Sequence, residues 1–317
     1  MGKVVSWLIG GSEGTNFADN VSLFLLKFTY LGLRILLRLA LGKRKRDEFY
    51  VKNNLDFGAF WYKFYQSRAA LATRSGKVRL LRFKVPKYGY QFYCRINKDD
   101  FKLMTVHEDE IISRIAPDPG DTVIDVGAHI GLYTIIGSKR VGAEGRVIAL
   151  EPHPDNRAML ERNVELNHLK NVIVLEYAAS SAESPVRLYL PSGDQGYTKL
   201  NTIMPARAVT ENFVEVTAKT LDSIATLLPI KRIDWIKIDV EGAELEVLEG
   251  AARILSKNAP IRLLIEVHHV QGKDLYSEIL KFLEQFGFHL RFEKVYDNGE
   301  RHVLFAKDDN LERQNRK

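Results

Sequence analysis

Cysteine is almost absent from this chain of 317 residues, in which Cys94 is the only one. A single cysteine cannot form a disulfide within the chain, so a small cross-linked secreted scaffold is excluded. The fold has to come from a hydrophobic core, and the composition allows one, because 45% of the residues are hydrophobic and 27% are charged. The sequence also lacks internal repeats and low-complexity tracts. We therefore predict a globular protein of a reducing compartment, the cytoplasm.

The glycine pattern of a dinucleotide-binding turn is missing as well. Residues 121–134 read DTVIDVGAHIGLYT, in which a short apolar strand leads through Gly127 and Gly131 into a helical pattern. A strand, a glycine turn and a helix form the nucleotide-binding edge of an α/β sheet, but the G-x-G-x-x-G that seats a pyrophosphate does not occur here. The turn is preceded by Asp125 instead. We expect a nucleoside without a phosphate bridge and with a positive or hydrogen-bond-donating group near Asp125, which describes S-adenosylmethionine.

Strands and helices alternate from Asp121 onward, which predicts a mostly parallel sheet with helices on both faces. The predicted strands are 122–126, 146–150, 172–176, 233–239, 262–268, 287–292 and 302–306, and the predicted helices lie near 131–140, 154–167, 220–227, 242–256 and 273–286. The last two strands are joined by a turn signal at residues 297–299 and should form an antiparallel hairpin. The predicted fold class is α/β, a Rossmann-like seven-stranded mixed sheet, as in class I methyltransferases.

The first hundred residues differ from the rest in charge, with 19 lysines and arginines against seven acidic residues. Within them, residues 21–42 are strongly apolar, yet each of the three basic residues Lys27, Arg34 and Arg38 would cost roughly 2.5–3.5 kcal/mol at the centre of a bilayer. On a helix these residues fall on one stripe. We expect residues 21–46 to lie on an anionic membrane surface, as a peripheral anchor at the cytoplasmic face, or to pack as a helix against the body or a partner. A membrane span is the least favoured of the three.

These patterns divide the chain into four predicted segments. A basic, apolar helical extension occupies residues 1–75, and a β-hairpin occupies 76–104, where apolar residues alternate around a Pro-Gly turn. The α/β domain covers 105–308, and a polar tail covers 309–317.

Acids and histidines follow the predicted strands at their carboxyl ends. Glu151 ends the second strand, where a carboxylate can accept both ribose hydroxyls of a nucleoside. Ala178 follows the third strand and is small enough for an adenine to lie close by. Asp239 ends the fourth strand, with Glu241 just beyond it.

The fifth predicted strand adds Glu266, His268 and His269 to the same edge. Because parallel strands bring their carboxyl ends to one crevice, we expect two histidines and three acids to converge there. Three further acids lie on the helix that follows the fourth strand, and we expect them on its solvated face; they are Glu244, Glu246 and Glu249.

Together, these motifs resemble the FkbM family of S-adenosylmethionine-dependent methyltransferases. The segments that carry the resemblance are IDVGAHIGLYT, ALEPHP, NVIVLEYAAS, TLDSI, DWIKIDVEGAELEVLEGA and IRLLIEVHH. It covers about residues 105–308 and implies O-methylation, often of a sugar or polyketide hydroxyl. It also implies a cofactor pocket from Asp125, Gly127, Gly131 and Glu151 and a catalytic neighbourhood at Asp239, and we expect Ala128, His129 and Ala178 to complete the pocket. His129 departs from the family, which more often has Asn there, but it still offers a hydrogen bond.

Methylation of a hydroxyl requires a base, because the proton is poorly acidic. We expect His268 or Asp239 to be that base, with Glu241 orienting the acceptor or the base. The same three residues could instead hold a divalent cation, which nothing in their spacing requires. The expected acceptor is a hydroxyl-bearing small molecule, glycan or glycolipid, covered by the loop at residues 191–212.

Two other functions fit the residues alone: a non-catalytic cofactor-binding or membrane-scaffold protein, and a nicotinamide-dependent oxidoreductase. Nucleic acid is disfavoured as an acceptor. The fourth strand lacks the Asn/Asp-Pro-Pro-aromatic element of base-modifying enzymes, and the basic surplus lies outside the α/β domain.

Overall fold

The computed structural model describes residues 80–84, 90–95, 100, 109–190, 201–205, 211–230, 232–257 and 260–307. The predicted extension 1–75, with its membrane segment 21–46, and the tail 309–317 lie outside the described residues. Membrane association and the four segment boundaries therefore stay predictions. Among the helices of the described ranges, none is both long and apolar enough to cross a bilayer. The chain divides into two compact units, residues 1–106 and 107–317.

Secondary structure in the described ranges is as follows. The strands are β1 (Leu80–Lys84), β2 (Gln91–Arg95), β3 (Thr122–Val126), β4 (Arg146–Leu150), β5 (Val172–Leu175), β6 (Ala178–Ala179), β7 (Ser184–Tyr189), β8 (Phe213–Lys219), β9 (Trp235–Ile238), β10 (Arg262–Val267), β11 (His289–Val295) and β12 (Arg301–Ala306). The helices are α1 (Asp109–Arg114), α2 (Leu132–Val141), α3 (Pro154–Leu166), α4 (Leu221–Leu227), α5 (Glu244–Glu249), α6 (Ala252–Ser256) and α7 (Leu275–Glu284).

The described part of the first unit contains an antiparallel pair. Strands β1 and β2 lie in the segment where a hairpin was expected, with Leu81 opposite Cys94. The last residue of β2, the buried Arg95, forms a two-pronged ion pair with the buried Asp100, with Nε–Oδ2 and Nη2–Oδ1 distances of 2.9 and 2.8 Å. Two charged groups can be buried here because each one neutralises the other.

A seven-stranded mixed sheet forms the centre of the second unit, which confirms the predicted fold class. The strand order is β11-β12-β10-β9-β3-β4-β5. Strands β10, β9, β3, β4 and β5 pair in parallel, whereas β12 runs antiparallel to both of its neighbours. The parallel strands are apolar along almost their whole length, as in "RVIAL" and "WIKI", because helices cover both faces of such a sheet. Their carboxyl ends therefore meet at one edge.

The prediction of a single helix at 242–256 was wrong, because the structure has two short helices there, α5 and α6. The break lies at Gly250, where the chain approaches another backbone segment. A Cβ atom on Gly250 would lie 2.1 Å from the carbonyl oxygen of Ser180. The apolar period continues across this point, so the sequence pattern conceals the break.

A second, three-stranded sheet was not predicted. Strand β8 lies between β6, to which it is parallel, and β7, to which it is antiparallel. Most side chains of β7 and β8 are exposed or half-buried, so these strands lack a strong apolar pattern. The three strands of this sheet follow β5 in the chain. Leu188 of β7 lines the cavity at the carboxyl edge of the main sheet.

Candidate active site

The turn after β3 brings its backbone against β9. Gly127 has a φ of 76°, and a Cβ atom there would lie 1.8 Å from the carbonyl oxygen of Asp239. Only glycine fits such an approach. The N–H groups of Gly127 and Ala128 donate to the carbonyl of Leu150, at 3.1 and 2.9 Å. The turn is thus fixed between β4 and β9, and α2 starts directly after Gly131, whose φ is 97°.

Glu151 lies at the end of β4 beside a cavity. The residue is 5% exposed, and its carboxylate accepts the N–H of His129 at 2.8 Å and that of His153 at 3.0 Å. Burial raises the pKa of Glu151 to about 7, although the two N–H donors oppose the shift. A carboxylate has about four acceptor positions, and Nδ2 of Asn156 also donates to Oε1 at 3.5 Å, so at least one further hydrogen bond can be made to a ligand.

The cavity beside Glu151 suits a nucleoside. It is lined by the apolar side chains of Leu150, Tyr177 and Ala178 and, among polar residues, by Glu151 and Asn156. At the other end, Asp239 and Glu241 line the same cavity. Of the residues predicted for the cofactor or for catalysis, those that line it are Gly127, His129, Glu151, Ala178, Asp239 and Glu241.

Asp125 has partners inside the protein. It is 1% exposed and is not among the cavity-lining residues. The Thr134 hydroxyl donates to its Oδ2, and Lys237 Nζ lies 3.5 Å from its Oδ1. The predicted contact of Asp125 with the positive group of a ligand therefore stays a prediction, as do the roles of Ala128 and Gly131.

Lys237 is a site residue that the sequence did not reveal. It lies in the middle of β9 and is 5% exposed. Its Nζ donates to the carbonyl of Gly127 at 3.2 Å and to Asp239 Oδ2 at 3.1 Å. Burial alone would lower the pKa of Lys237, but the carboxylates of Asp239 and Asp125 raise it above its ordinary value. The lysine therefore links the glycine turn to the acid at the end of β9.

A buried histidine lies at the centre of the acidic side of this edge. His268 is 4% exposed, and its Nδ1 lies 2.8 Å from Glu244 Oε1. Three other carboxylates face Nε2 at 3.6 to 3.8 Å, beyond hydrogen-bonding distance, and they belong to Asp239, Glu241 and Glu266. The structure thus brings together the three residues predicted for catalysis, Asp239, Glu241 and His268.

The charges of this cluster shift the pKa values of its members. Burial disfavours the charged imidazole, but Glu241 and Glu244 outweigh it and raise the pKa of His268 well above its usual value. Burial also disfavours the Asp239 carboxylate, yet Lys237 and His268 lower its pKa overall. The surroundings therefore favour the protonated imidazole of His268 and the ionised carboxylate of Asp239.

Two predictions at this edge were wrong. Glu244 was expected on a solvated helix face but is 0% exposed, because its carboxylate points inward to His268 and to the N–H of Gly242. His269 was expected in the crevice, but its side chain is exposed. The second histidine of the cluster is His302 of β12, which pairs with Glu266 across the sheet, Nε2 to Oε2 at 3.2 Å.

The divalent cation considered from the sequence stays a prediction. In the described ranges, the trio with oxygen and nitrogen atoms within 4.8 Å of one another is Asp239, Glu266 and His268. The third member of this possible cation-binding set is therefore Glu266, whereas Glu241 was expected. One oxygen of Asp239 already accepts a hydrogen bond from Lys237.

Part of the predicted acceptor loop contacts the cluster. Residues 201–205 are described, and Thr202 is buried, with its hydroxyl donating to the carbonyl of Glu241 at 2.8 Å. The backbone of Thr202 also pairs with Tyr189 of β7. The residues before and after Thr202, Asn201 and Ile203, line the cavity. This segment therefore lies over the end of the cavity formed by Asp239 and Glu241.

Five parallel strands, an antiparallel hairpin at one edge and a glycine turn beside a cavity at the carboxyl ends of the strands are the features of the class I methyltransferase fold. Residues 125–290, just over half of the chain, match the model of the methyltransferase FkbM domain. The chain belongs to this family. Family membership sets aside the nicotinamide oxidoreductase that the residues alone had left open.

Three curated relatives are similar to this chain. Methyltransferase 1 of Beauveria bassiana is 27% identical over 165 residues, which cover 46% of this chain and 66% of that protein. Methyltransferase sdnD of Sordaria araneosa is 32% identical over 154 residues, and the match covers 40% of this chain and 59% of that protein. Hexuronic acid methyltransferase AglP of Haloferax volcanii is 25% identical over 219 residues, and the match covers 67% of this chain and 85% of that protein. The matches to the two fungal proteins span less than two thirds of their length.

Proposed function

We propose that the protein transfers the methyl group of S-adenosylmethionine to a hydroxyl group of a sugar, glycan or glycolipid. One observation carries the proposal. The cavity that suits a nucleoside at Glu151 ends at Asp239 and Glu241, next to a buried histidine that can accept a proton when its ring is neutral. A purely cofactor-binding scaffold has no use for such a cluster, whose buried charges are costly to maintain.

The residues around the cavity fit S-adenosylmethionine. Glu151 would accept the ribose hydroxyls, and the wall of Leu150, Tyr177 and Ala178 would contact the adenine. Gly127 and His129 would line the side nearest the methionine part. When bound, the cofactor supplies a methyl group on a positively charged sulfur, which is already a strong electrophile.

The protein's own contribution is to position the acceptor and to take its proton. Correct positioning can contribute up to about 7–11 kcal/mol to a reaction of two bound partners. Of the two bases considered, His268 is the better one, because Lys237 lowers the pKa of Asp239 and makes it a weak base. We assign proton uptake to Nε2 of His268 and orientation of the acceptor hydroxyl to Asp239 and Glu241.

A sugar-type acceptor is supported by two features. The carboxylates of Asp239 and Glu241 are acceptors that suit neighbouring hydroxyl groups, which act as donors. In addition, one relative acts on a hexuronic acid according to its name.

The acceptor class can be tested by mass spectrometry of glycan and lipid extracts from cells with and without the gene. We expect one glycan or glycolipid species to lack a methyl group in the deletion strain. The native gene should restore it, and a gene with Asp239→Asn should not. Unchanged glycans and lipids, with a methyl group missing from protein or nucleic acid instead, would contradict the proposal.

Cofactor affinity should depend on pH through Glu151. Ribose hydroxyls stabilise the ionised carboxylate, so binding should release a proton wherever Glu151 is protonated beforehand. With a pKa of about 7 in the free protein, the Kd for S-adenosylhomocysteine should be about tenfold weaker at about pH 6 than at about pH 8. Isothermal titration calorimetry at both pH values measures this change.

Glu151→Gln is the control for the pH effect. An amide does not titrate, so this variant should bind more weakly at every pH and show little pH dependence. A native protein whose affinity is constant from about pH 6 to 8, or rises on acidification, would contradict the assignment of Glu151 to the ribose.

A further inference from the structure

We propose that Glu244 is a positioning residue that holds the His268 ring with its proton on Nδ1, so that Nε2 faces the acceptor hydroxyl. The inference rests on the proposed function, because it takes His268 as the group that accepts the proton. The Glu244 side chain itself does not line the cavity. Glu244 is 0% exposed and is not among the cavity-lining residues.

The local backbone fixes the Glu244 carboxylate. Glu241 and Gly242 both have positive φ values, 56° and 105°, and this turn leads into α5, which begins at Glu244. The N–H of Gly242 donates to Glu244 Oε1 at 2.9 Å. The same oxygen lies 2.8 Å from His268 Nδ1. One oxygen thus receives a backbone donor and the ring together.

This arrangement decides which ring nitrogen carries the proton. Glu244 Oε1 already accepts a hydrogen bond from Gly242, so it is an acceptor and His268 Nδ1 must be the donor. A neutral imidazole has one donor and one acceptor. Once Nδ1 is the donor, Nε2 is the nitrogen with the free electron pair. It faces Asp239 and Glu241, which line the cavity.

Glu244 differs from the other acids near the ring. Asp239, Glu241 and Glu266 lie 3.6 to 3.8 Å from Nε2, too far to hold the ring by a hydrogen bond. The charges of these three carboxylates influence the protonation of the His268 ring. Two groups beyond them also influence it: Lys237, next to Asp239, and His302, next to Glu266. In the described part of the chain, Glu244 is the hydrogen-bond partner of the His268 side chain.

The expected effect follows from the role of orienting acids in other histidine bases. Where the orienting acid of a serine protease triad is changed to an amide, the wrong tautomer forms and kcat falls by about 10⁴. Glu244→Leu should therefore lower kcat by about 10²–10⁴, the range of a general base. It should change KM and the affinity for S-adenosylhomocysteine little. Unlike the amide in the protease triad, the amide of Glu244→Gln should keep its oxygen towards the ring, because the N–H of Gly242 donates to that position, so this variant should retain most of the rate.

The ring itself can be observed without any acceptor. We would label the histidines of the full-length protein with ¹⁵N, identify the His268 signals by their loss in His268→Asn, and follow both ring nitrogens through a pH titration. In the native protein and in Glu244→Gln, Nδ1 should keep its proton while Nε2 loses one on raising the pH. In Glu244→Leu, the neutral ring should shift towards the form protonated at Nε2.

Glu246→Gln is the matched control. Glu246 lies on the same helix and is only half-buried, and its substitution should leave the ring signals and the rate unchanged. The inference fails if the neutral native ring carries its proton on Nε2, or if Glu244→Leu leaves the tautomer or kcat as in the native protein. A native protein with the expected tautomer that methylates no hydroxyl in glycan or lipid extracts would instead overturn the proposed function.

Discussion

Replacing His268 with asparagine is expected to lower the rate of methyl transfer about 10²–10⁴-fold, the contribution of a positioned general base. Nε2 of His268 faces the end of the cavity lined by Asp239 and Glu241, and asparagine cannot take up a proton there. The cofactor end of the cavity, at Glu151, is formed by other residues. The affinity for S-adenosylhomocysteine should therefore stay as in the native protein, which calorimetry can verify.

The native rate should also depend on pH through this histidine. The carboxylates of Glu241 and Glu244 raise the pKa of His268 above its ordinary value, so the protonated ring, which cannot act as a base, persists to higher pH than in an ordinary histidine. At saturating S-adenosylmethionine, the rate should rise as the pH is raised towards and through that pKa. His268→Asn should lose this rise.

The neighbouring histidine provides the control. His269 has an exposed side chain, so His269→Asn should transfer methyl groups at the native rate with the native pH profile. Equal effects of the two substitutions, or a native rate that falls as the pH rises, would contradict the role assigned to His268.

Gly127→Ala is expected to unfold the nucleotide edge of the sheet. The added Cβ would lie 1.8 Å from the Asp239 carbonyl oxygen and 2.9 Å from its carbon, both backbone atoms that cannot rotate away. The positive φ of 76° adds strain. Together, overpacking and strain should lower the free energy of unfolding by about 3 kcal/mol or more. Binding of S-adenosylhomocysteine should be lost, because β3 and β9 must separate.

Gly272→Ala separates strain from overpacking. Gly272 has nearly the same φ, 78°, but a Cβ there would have no neighbour within 4 Å. It should cost only about 1–2 kcal/mol and leave cofactor binding intact. Thermal unfolding and calorimetry of the two variants measure both effects. If Gly127→Ala is no less stable than Gly272→Ala, the close approach of β3 and β9 is not what the structure indicates.

Much of the fold could be predicted because the parallel strands are fully buried. Strands β3 and β4 have the bounds expected from their apolar runs, and the terminal hairpin follows its turn signal. Strands β7 and β8 escaped prediction because their side chains are mostly exposed. The break at Gly250 escaped because it depends on the approach of Ser180, a contact distant in sequence.

The site was predictable where a residue ends a strand. Glu151, Asp239 and His268 were found this way, because the carboxyl ends of parallel strands meet at one edge. Lys237 and Glu244 were not, because charged residues on a strand or helix are usually solvated. Their burial depends on partners from other elements: two aspartates for the lysine, and His268 together with Gly242 for the glutamate.

The central claim, methyl transfer to a sugar-type hydroxyl, is tested most directly with S-adenosylmethionine labelled in its methyl group. The purified protein would be incubated with glycan and glycolipid extracts, and both S-adenosylhomocysteine and the labelled product would be measured. We predict label in the extract in an alkali-stable form, as expected for a methyl ether, and none with Asp239→Asn. Label released by alkali, as from a methyl ester, or cofactor binding without any transfer to these extracts, would contradict the account.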